Sequence, residues 1–471
     1  MIFKNIDNLG NNHDFTLVGS GPASLTLALK LEEKGFKVLI IEAGDVFTSS
    51  KSQELYEGEN IGDKYFELDV TRLRCFGGSS QHWGGWCRPL DKIDFEEWPI
   101  SKSNLDKYLI EASNILEIKD KFYKRNISDS INQIGFNFSP PVRFKEKYFE
   151  RVKNSKRISL VLNTPLLKIT GNNNGLIKEV VVNNLGKNKM LSIKTLILGC
   201  GGIENSRILL WSKMAAKNNF LKEIYPGYYW MEHPHYEVAT FVGKTSELKK
   251  IIDERYSHDK FFFLSFSDKF IKRNKLKNIS VRFQYQSSNK YKDQIIYDLA
   301  CSGNYYSKKI IKLFKKNLAC FYKIKMVWEQ IPNINSNLQL SSYQKDIFGI
   351  PKVNLNWKKQ EDDLYTPKLC LNEIANFFMD KDIGRIGIFD FVINKTNYPE
   401  DDEIGGHHHM GGTRMGDGSN KYDVVDRNLK VFNTQNLYIA GSSVFRTGGH
   451  ANPTLTITQL SLRLAEHLSN I

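Results

Sequence analysis

The sequence predicts an α/β protein, α+β overall, with one domain on a parallel sheet and a second on a mostly antiparallel sheet. A strand–turn–helix–strand unit near the N-terminus is typical of a dinucleotide-binding fold. A chain of 471 residues is too long for one ordinary hydrophobic core, so a second domain is expected. At 346–357, Val353, Leu355 and Trp357 alternate with polar residues, which is typical of a strand that buries one face.

The N-terminal unit is the most legible part of the chain. Phe15–Val18 is a short apolar strand that ends in a glycine turn, and Val38–Ile41 is a second one. Between them, apolar residues recur at helical spacing from Ala23 to Lys34. A glycine turn at a helix N-terminus brings backbone N–H groups and the positive end of the helix dipole together, which suits a pyrophosphate. A Rossmann-type dinucleotide site is therefore predicted.

The candidate cofactor contacts of this unit follow from that geometry. Gly19, Gly21 and Ala23 form the turn and the start of the helix. Glu42 follows about 20 residues after Gly21, where an acidic side chain accepts hydrogen bonds from an adenosine ribose. Ser24 stands in place of the third glycine of the fingerprint, and its small side chain should still allow close helix–strand packing. The unit alone does not distinguish NAD from FAD.

A glycine-rich segment at 71–90, TRLRCFGGSSQHWGGWCRPL, helps to make that distinction. Gly78 and Ser80 belong to a polar turn whose amides and hydroxyls suit a phosphate or a polar ring edge. Arg72 and Arg74 stand just upstream as candidate phosphate contacts. Tryptophans among the glycines indicate close approach to a flat ligand.

Three adjacent histidines, His407, His408 and His409, precede the turn-rich sequence MGGTRMG. In an extended segment, His407 and His409 share one face and His408 takes the other. Two imidazoles are too few for a closed zinc site, and no ligand partner lies at useful spacing, so a metal is not expected. A solvated loop and a catalytic base remain as alternatives, and the near-neutral pKa of imidazole suits a base.

Composition favours a protein of the cytoplasm. The net charge is +14, but the lysines are scattered, which is typical of solvated faces rather than of a nucleic-acid site. The segment Lys308–Lys316 has helical amphipathicity and is interpreted as a surface helix, with contact to a membrane surface as the alternative. The cysteines show no CxxC pairing, and neither a signal peptide nor a transmembrane segment is expected.

The chain resembles the glucose-methanol-choline (GMC) oxidoreductases over almost its whole length. The matching segments, in family order, are VGSGPAS…LIIEAG, GGSSQHW, EEWPISKSNLDKYLIEASNIL, LILGCGGIENSRILL, MEHP, DIFGIPKVNLNW, HHHMGGTRMG and NLYIAGSSVFRTGGHANPTLTITQLSLRLAEHL. The Ser-Gln-His-Trp sequence is most similar to the pyranose 2-oxidase and fructose dehydrogenase branch. The resemblance implies an FAD-dependent enzyme that oxidises a CH–OH group by hydride transfer to flavin N5.

The resemblance also implies roles for individual residues. The histidine before the Met-Gly-Gly-Thr sequence corresponds to the family's base, which makes His409 the candidate. The Asn-Pro-Thr sequence puts Asn452 opposite the base, with His450 as the runner-up. His82 matches the histidine that binds the flavin covalently in pyranose 2-oxidase, so both a covalent and a noncovalent FAD are considered. Leu166 matches a position whose backbone contacts adenine.

Gly441, Ser442 and Thr454 complete the candidate cofactor contacts, in the C-terminal segment after a strand at 437–440. The order of the matching segments implies a discontinuous FAD-binding domain and an inserted substrate domain. The FAD-binding domain is expected at 1–95, 145–235 and 405–471, and the substrate domain at 96–144 and 236–404.

The leading functional prediction is oxidation of a sugar or polyol. The alternatives are an aliphatic or sterol-type alcohol and, in another class, a basic flavin-fold scaffold that docks on an anionic surface. Oxygen and another electron carrier are both considered as the acceptor that reoxidises the flavin. The oligomeric state is left open.

Overall fold

The computed structural model describes residues 1–10, 12–243, 245–257, 261–285, 320–396, 398–399 and 405–471. The basic segment predicted at 308–316 lies outside the described residues. The described strands are, in chain order, Ile2–Phe3 (β1), Phe15–Val18 (β2), Val38–Ile41 (β3), Gly58–Asn60 (β4), Trp86–Cys87 (β5), Lys124–Asn126 (β6), Ile131–Ile134 (β7), Asn137–Phe138 (β8), Ile158–Val161 (β9), Leu166–Gly171 (β10), Ile177–Asn184 (β11), Lys187–Ser192 (β12), Thr195–Leu198 (β13), His235–Gly243 (β14), Phe261–Phe266 (β15), Ile279–Tyr285 (β16), Cys320–Trp328 (β17), Asn337–Lys345 (β18), Pro351–Asn356 (β19), Gly384–Ile388 (β20) and Leu437–Ile439 (β21).

The described α-helices are Pro22–Glu33 (α1), Ser50–Gln53 (α2), Lys102–Asp106 (α3), Leu109–Ile115 (α4), Phe144–Asn154 (α5), Gly201–Met214 (α6), Thr245–Ile251 (α7), Asp268–Arg273 (α8), Tyr365–Asp380 (α9), Asp390–Asn394 (α10) and Pro453–Leu468 (α11). Among them, none is long and apolar enough to cross a lipid bilayer.

A parallel sheet carries the N-terminal unit. Its described strands run in the spatial order β1–β9–β3–β2–β13–β21, and each neighbouring pair is parallel. The predicted β2, α1 and β3 are confirmed, and the helix begins at Pro22, whose missing N–H suits the first turn. Since all these strands point the same way, the turn after β2 and the acidic residue after β3 meet at one edge of the sheet.

The close packing of α1 on this sheet depends on Gly199, directly after β13. A Cβ at Gly199 would lie 2.1 Å from Oγ of Ser24, the residue that replaces the third fingerprint glycine. The Ser24 hydroxyl is buried and has no hydrogen-bond partner among the described residues. The space that the fingerprint normally gains from a glycine on the helix is thus provided by a glycine on the neighbouring strand.

A second, large sheet is antiparallel. Its described strands run in the order β20–β14–β17–β16–β15–β7–β6, and every neighbouring pair is antiparallel. Phe241, Phe283 and Trp328 are fully buried within its own hydrophobic core, where Phe378 of α9 joins them. The predicted second, mostly antiparallel sheet is therefore confirmed.

The alternating segment at 346–357 has a different place from the one expected. Val353 and Leu355 are buried, as the alternation predicts, but β19 pairs with β18 and β4 in a separate small sheet. This small sheet, rather than the large antiparallel one, contains the segment. Its hairpin turn instead reaches the far end of the cofactor cavity described below.

Packing also refines the inferred domain boundaries, which stay a prediction. Leu105, Tyr108 and Ala112, assigned from sequence to the substrate domain, belong to the hydrophobic core of the parallel sheet. They lie in and around α3 and α4, which contact α11. The antiparallel sheet takes up the chain only at β6, after residue 123.

Candidate active site

Two adjoining cavities lie at the carboxyl edge of the parallel sheet. The first measures about 1370 Å³ with its solvent-open mouth, and it extends from the glycine turn after β2 to the three histidines. The second measures about 690 Å³. Gly19, Glu42, Tyr56 and Cys200 border both, so one elongated ligand can occupy the two together.

Every leading site residue predicted from sequence borders these cavities, and the runner-up His450 does not. Arg74 and Leu166 line the second cavity. The first cavity is lined by Gly19, Gly21, Ala23, Glu42, Gly78, Ser80, His82, His409, Gly441, Ser442, Asn452 and Thr454. The sequence therefore identified the correct region, while the role of each residue there stays a prediction.

Glu42 is fixed at the junction of the two cavities. Its Oε2 accepts hydrogen bonds from the backbone N and the hydroxyl of Ser20, at 2.9 and 2.7 Å, and its Oε1 accepts one from the Gly44 N at 2.7 Å. Burial raises the pKa of this carboxyl, and the hydrogen bonds oppose the rise. A carboxylate oxygen has two acceptor sites, so these bonds leave capacity for a ligand hydroxyl.

The two predicted phosphate-binding arginines differ in their surroundings. The guanidinium of Arg72 lies 2.9 Å from the carboxylate of Glu204 and donates to two backbone carbonyls, so its charge is already paired within the protein. Arg72 nevertheless lines the first cavity, and its contact with a phosphate stays a prediction. Arg74 faces the second cavity beside the ring of Tyr56, 5.8 Å from the ring centroid.

The three histidines point in different directions because His407 has a left-handed backbone, with φ 56°. The His407 ring packs edge-on against Phe66. The His409 ring lies 5.8 Å from the ring of Trp230 and 6.1 Å from that of Tyr65, measured between centroids. Nε2 of His409 is buried and has no hydrogen-bond partner among the described residues.

His408 is the imidazole that meets Asn452. Its Nε2 lies 3.2 Å from Asn452 Nδ2, and its Nδ1 lies 2.9 Å from Nδ1 of His233. Nε2 of His233 lies 3.1 Å from the carbonyl oxygen of Gly448.

This chain of contacts assigns the protons. A carbonyl only accepts, so His233 carries its proton on Nε2 and accepts at Nδ1. His408 must then donate from Nδ1, so its Nε2 carries no proton and accepts a hydrogen bond from the Asn452 amide.

The pair expected from sequence, His409 with Asn452, is therefore not the pair that the structure hydrogen-bonds. The runner-up His450 has a different partner, since its Nε2 lies 3.2 Å from the Asp91 carboxylate. His450 does not line either cavity, whereas Asn452 does. Between these two C-terminal candidates, the geometry favours Asn452.

Glu232 holds the histidine loop in position. Its Oε1 accepts the backbone N–H of His408 at 2.8 Å and that of His233 at 2.8 Å, and its Oε2 accepts the hydroxyl of Tyr65. The carboxyl is fully buried, and burial raises its pKa to about 7 despite these hydrogen bonds. One side chain thus sets the backbone of both histidines in the proton chain.

Burial lowers the pKa of both imidazoles in this chain of contacts. Burial, together with the neighbouring rings of His233 and His235, lowers the pKa of His408 well below its usual value. Burial lowers the pKa of His233 to about 4. Both shifts favour the neutral form of these two imidazoles.

Comparison with known protein families shows which family the residues of this site match. The model of the GMC oxidoreductase C-terminal domain matches residues 332–461, which include the histidine loop and Asn452. A model of a Rossmann-like NAD(P)-binding domain matches residues 17–87, which include the glycine turn and His82. The chain belongs to the GMC oxidoreductase family.

Whole proteins similar to this GMC oxidoreductase cover nearly all of it. A 2-methyl-1,2-propanediol dehydrogenase of Mycolicibacterium austroafricanum is 22% identical over 97% of this chain and 95% of its own. A pyridoxine 4-oxidase structure from Mesorbium loti superposes with a TM-score of 0.58 at 14% identity, over 97% of this chain and 99% of that one. A formate oxidase of Aspergillus oryzae, whose study concerned FAD modification, gives 0.54 at 16% identity, over 98% of both chains.

The residues of this GMC oxidoreductase fit its cofactor, FAD. Gly21, Gly201 and Gly441 border the first cavity, and a Cβ added at each would meet no atom within 4 Å. The backbone is thus bare where it faces the ligand space, as close approach of a pyrophosphate requires. The unpaired Nε2 of His409 is a further polar atom at this wall.

The structure brings together three side chains that sequence reasoning did not single out. Sequence reasoning gave no role to Glu232 or His233, although their MEHP motif was among the matching segments, and it treated His408 as support for the loop. The MEHP motif was the sequence signal that could have identified Glu232 and His233. A buried acid next to two histidines predicts little, however, until the loop that it binds, more than 170 residues later, is known.

Proposed function

We propose that this protein is an FAD-dependent oxidoreductase that oxidises the CH–OH group of a sugar or similar polyol, with His408 as the base. The observation that carries the proposal is the unprotonated Nε2 of His408 at the cavity wall, 3.2 Å from the amide of Asn452. Flavin-dependent oxidation of an alcohol requires such a base, because the hydroxyl proton must leave together with the hydride.

Bound FAD supplies the acceptor for the hydride. The Asn452 amide donates a hydrogen bond to the substrate oxygen and orients the carbinol. Nε2 of His408 takes the hydroxyl proton, while its Nδ1–H stays bonded to His233, so the imidazolium that forms keeps its orientation. The carboxylate of Glu232 fixes the backbone on which both rings are held.

His409 has a separate role in this proposal. Its ring is packed by Tyr65 and Trp230, and its carbonyl accepts the hydroxyl of Ser442 at 2.6 Å. A Cβ on Gly202 of α6 would lie 2.6 Å from the Cβ of His409, so the residue is held firmly against the parallel-sheet domain. We assign it to the cofactor wall rather than to the proton transfer.

The polar character of the wall supports a polyol over a sterol. Beside His408, the first cavity is lined by the polar side chains of His82, His407 and Asn452. Such a wall offers hydrogen bonds to several hydroxyls and little apolar surface to a sterol ring. The similar proteins are named for a small diol, for pyridoxine and for formate.

An anaerobic screen of sugars, polyols and aliphatic alcohols tests the reaction. A true substrate should bleach the yellow flavin absorbance without oxygen, and readmitted air or a dye should restore it. If polyols leave the flavin oxidised while apolar alcohols bleach it, the polyol proposal fails. If no alcohol of either kind bleaches it, the assignment of a CH–OH donor fails.

His82 is proposed as a covalent attachment point for the flavin. It borders the first cavity, on a loop held by Arg143, which donates to the carbonyls of Ser80 and Trp83 at 2.9 and 2.7 Å. Acid precipitation should leave the yellow colour on the chain, and His82→Ala should release it to the supernatant. Free flavin from the unaltered protein would exclude the link.

A further inference from the structure

The hairpin turn between β18 and β19, residues 346–350, borders the second cavity. Asp346, Phe348 and Ile350 line this cavity together with Glu42 and Leu166. The turn comes from the small sheet β18–β19–β4, whereas the other lining residues come from the parallel-sheet domain and its loops. It forms part of the wall of the second cavity, whereas the histidines line the first.

A buried chain of alternating charges fixes this turn. Arg72 lies 2.9 Å from Glu204, Glu204 lies 3.3 Å from Arg207, and Arg207 lies 2.7 Å from Asp346. Each of these side chains is at most 10% exposed. Although burial acts the other way, the two arginines hold the pKa of Glu204 below its usual value.

Asp346 connects the turn to that chain and also shapes the turn itself. Its Oδ1 accepts the backbone N–H groups of Phe348 and Ile350 at 2.9 and 3.1 Å, while its Oδ2 contacts Arg207. Arg207 further donates to the Pro351 carbonyl at 3.0 Å. A buried ion pair adds little net stability over an apolar contact of the same size, but it strongly penalises any other arrangement.

We propose that residues 346–350 are a clamp that closes the adenosine end of the FAD site, docked by the Asp346–Arg207 pair. Glu42 and Leu166 mark this end as the adenosine end, since an acid at the end of the second strand faces the ribose. The clamp joins the small sheet to cofactor binding. It requires FAD in this cavity and does not depend on which alcohol is oxidised.

The Asp346→Asn variant tests the ion pair between Asp346 and Arg207 separately from the shape of the turn. An asparagine oxygen can still accept the two backbone N–H groups of the turn, so the turn keeps its shape while the charge facing Arg207 is lost. Ile347→Ala is the matched control, because Ile347 lies in the same turn and is 71% exposed. All variants carry His82→Ala, so that a covalent link cannot conceal a change in affinity.

The measurement is the affinity of each full-length apoprotein for FAD, ADP and FMN. Asp346→Asn should weaken FAD and ADP by roughly tenfold or more and leave FMN unchanged, because FMN lacks the adenosine. Ile347→Ala should change none of the three. Equal weakening of FMN and FAD, or no change with FAD, overturns the clamp.

Phe348→Ala keeps the test decisive if Asp346→Asn does not fold. It leaves the ion pair and the turn hydrogen bonds in place and removes only a ring from the cavity wall. The same selective loss of FAD and ADP affinity is expected, and an unchanged FAD affinity would contradict the proposal. These affinities are measured without an alcohol, so a failure of the proposed oxidation would leave the result of this test unchanged.

Discussion

Among the three histidines, a shift of one residue separates the base that we propose from the one that the family motif implies. The family motif points to His409, whereas the hydrogen bonds point to His408. The left-handed φ of His407 turns the loop so that the next ring faces Asn452. A local pattern of three histidines and two glycines does not fix this register, because the contacts that do so come from Glu232 and His233, far away in sequence.

Glu232 gives the site a pH dependence near neutrality. Its pKa is raised to about 7 by burial, so its carboxylate form exists above that pH and is lost as the pH falls through it. The protonated form is a weaker acceptor for the backbone N–H groups of His408 and His233. We expect kcat/KM to fall below about pH 7, and Glu232→Gln to abolish this step. In that variant, kcat/KM should fall only when His408 itself is protonated, at a pH well below the usual pKa of histidine.

Asp363→Asn is the matched control for that pH profile. Burial raises the pKa of Asp363 to about 7 as well, but its carboxylate accepts the backbone N–H groups of Ile331 and Gln360, away from the histidine loop. This variant should keep the step near pH 7. An unchanged pH profile in Glu232→Gln would show that Glu232 does not position the base.

At the scale of the element, α11 places the side chain of Asn452 in the site, and the helix therefore lacks a side-chain hydrogen bond at its N-cap. Asn452 is the N-cap residue, but its side chain makes no capping hydrogen bond and lies against His408 instead. Replacing an N-cap asparagine by alanine normally costs about 1 kcal/mol of unfolding free energy. Here that loss should be smaller.

Asn452→Ala should therefore lower activity far more than stability. Loss of one hydrogen bond to the substrate oxygen should reduce kcat/KM roughly 10- to 100-fold. Thermal unfolding and steady-state kinetics of the same preparation measure both effects. A large drop in melting temperature with an unchanged rate constant for the folded fraction would contradict this role.

The close contact between α1 and the end of β13 leads to a second prediction at this scale, which concerns stability. Gly199→Ala places a Cβ 2.1 Å from the Ser24 hydroxyl, and overpacking of this kind costs about 1–3 kcal/mol. Ser24→Ala removes the hydroxyl and should recover much of that loss in the double variant. Chemical denaturation of the two single variants and the double variant measures the coupling, and strictly additive effects would exclude it.

The elements that sequence predicted well are those defined by local pattern. The strands β2 and β3 begin and end at the predicted residues, because both are buried apolar runs bounded by turn residues. The alternation of Val353 and Leu355 was also correct for a strand. Its sheet was not predictable, since strand partners are chosen by tertiary packing and alternation carries no information about them.

In the whole molecule, the site is assembled from distant segments that no local pattern connects. The glycine turn after β2, the MEHP segment, the histidine loop and the start of α11 meet at one cavity. Sequence resemblance located all of these segments, because each is a compact motif. It did not give the contacts between motifs, and those contacts decide which histidine is the base.

The rate of anaerobic flavin reduction by substrate, measured on flavin-loaded protein, tests the central claim most directly. Replacing His408 by alanine should slow reduction by roughly 10²- to 10⁴-fold, as expected for removal of a general base. His409→Ala should retain a rate close to that of the unaltered protein. A slow His409→Ala variant beside a fast His408→Ala variant would contradict the account and restore His409 as the base.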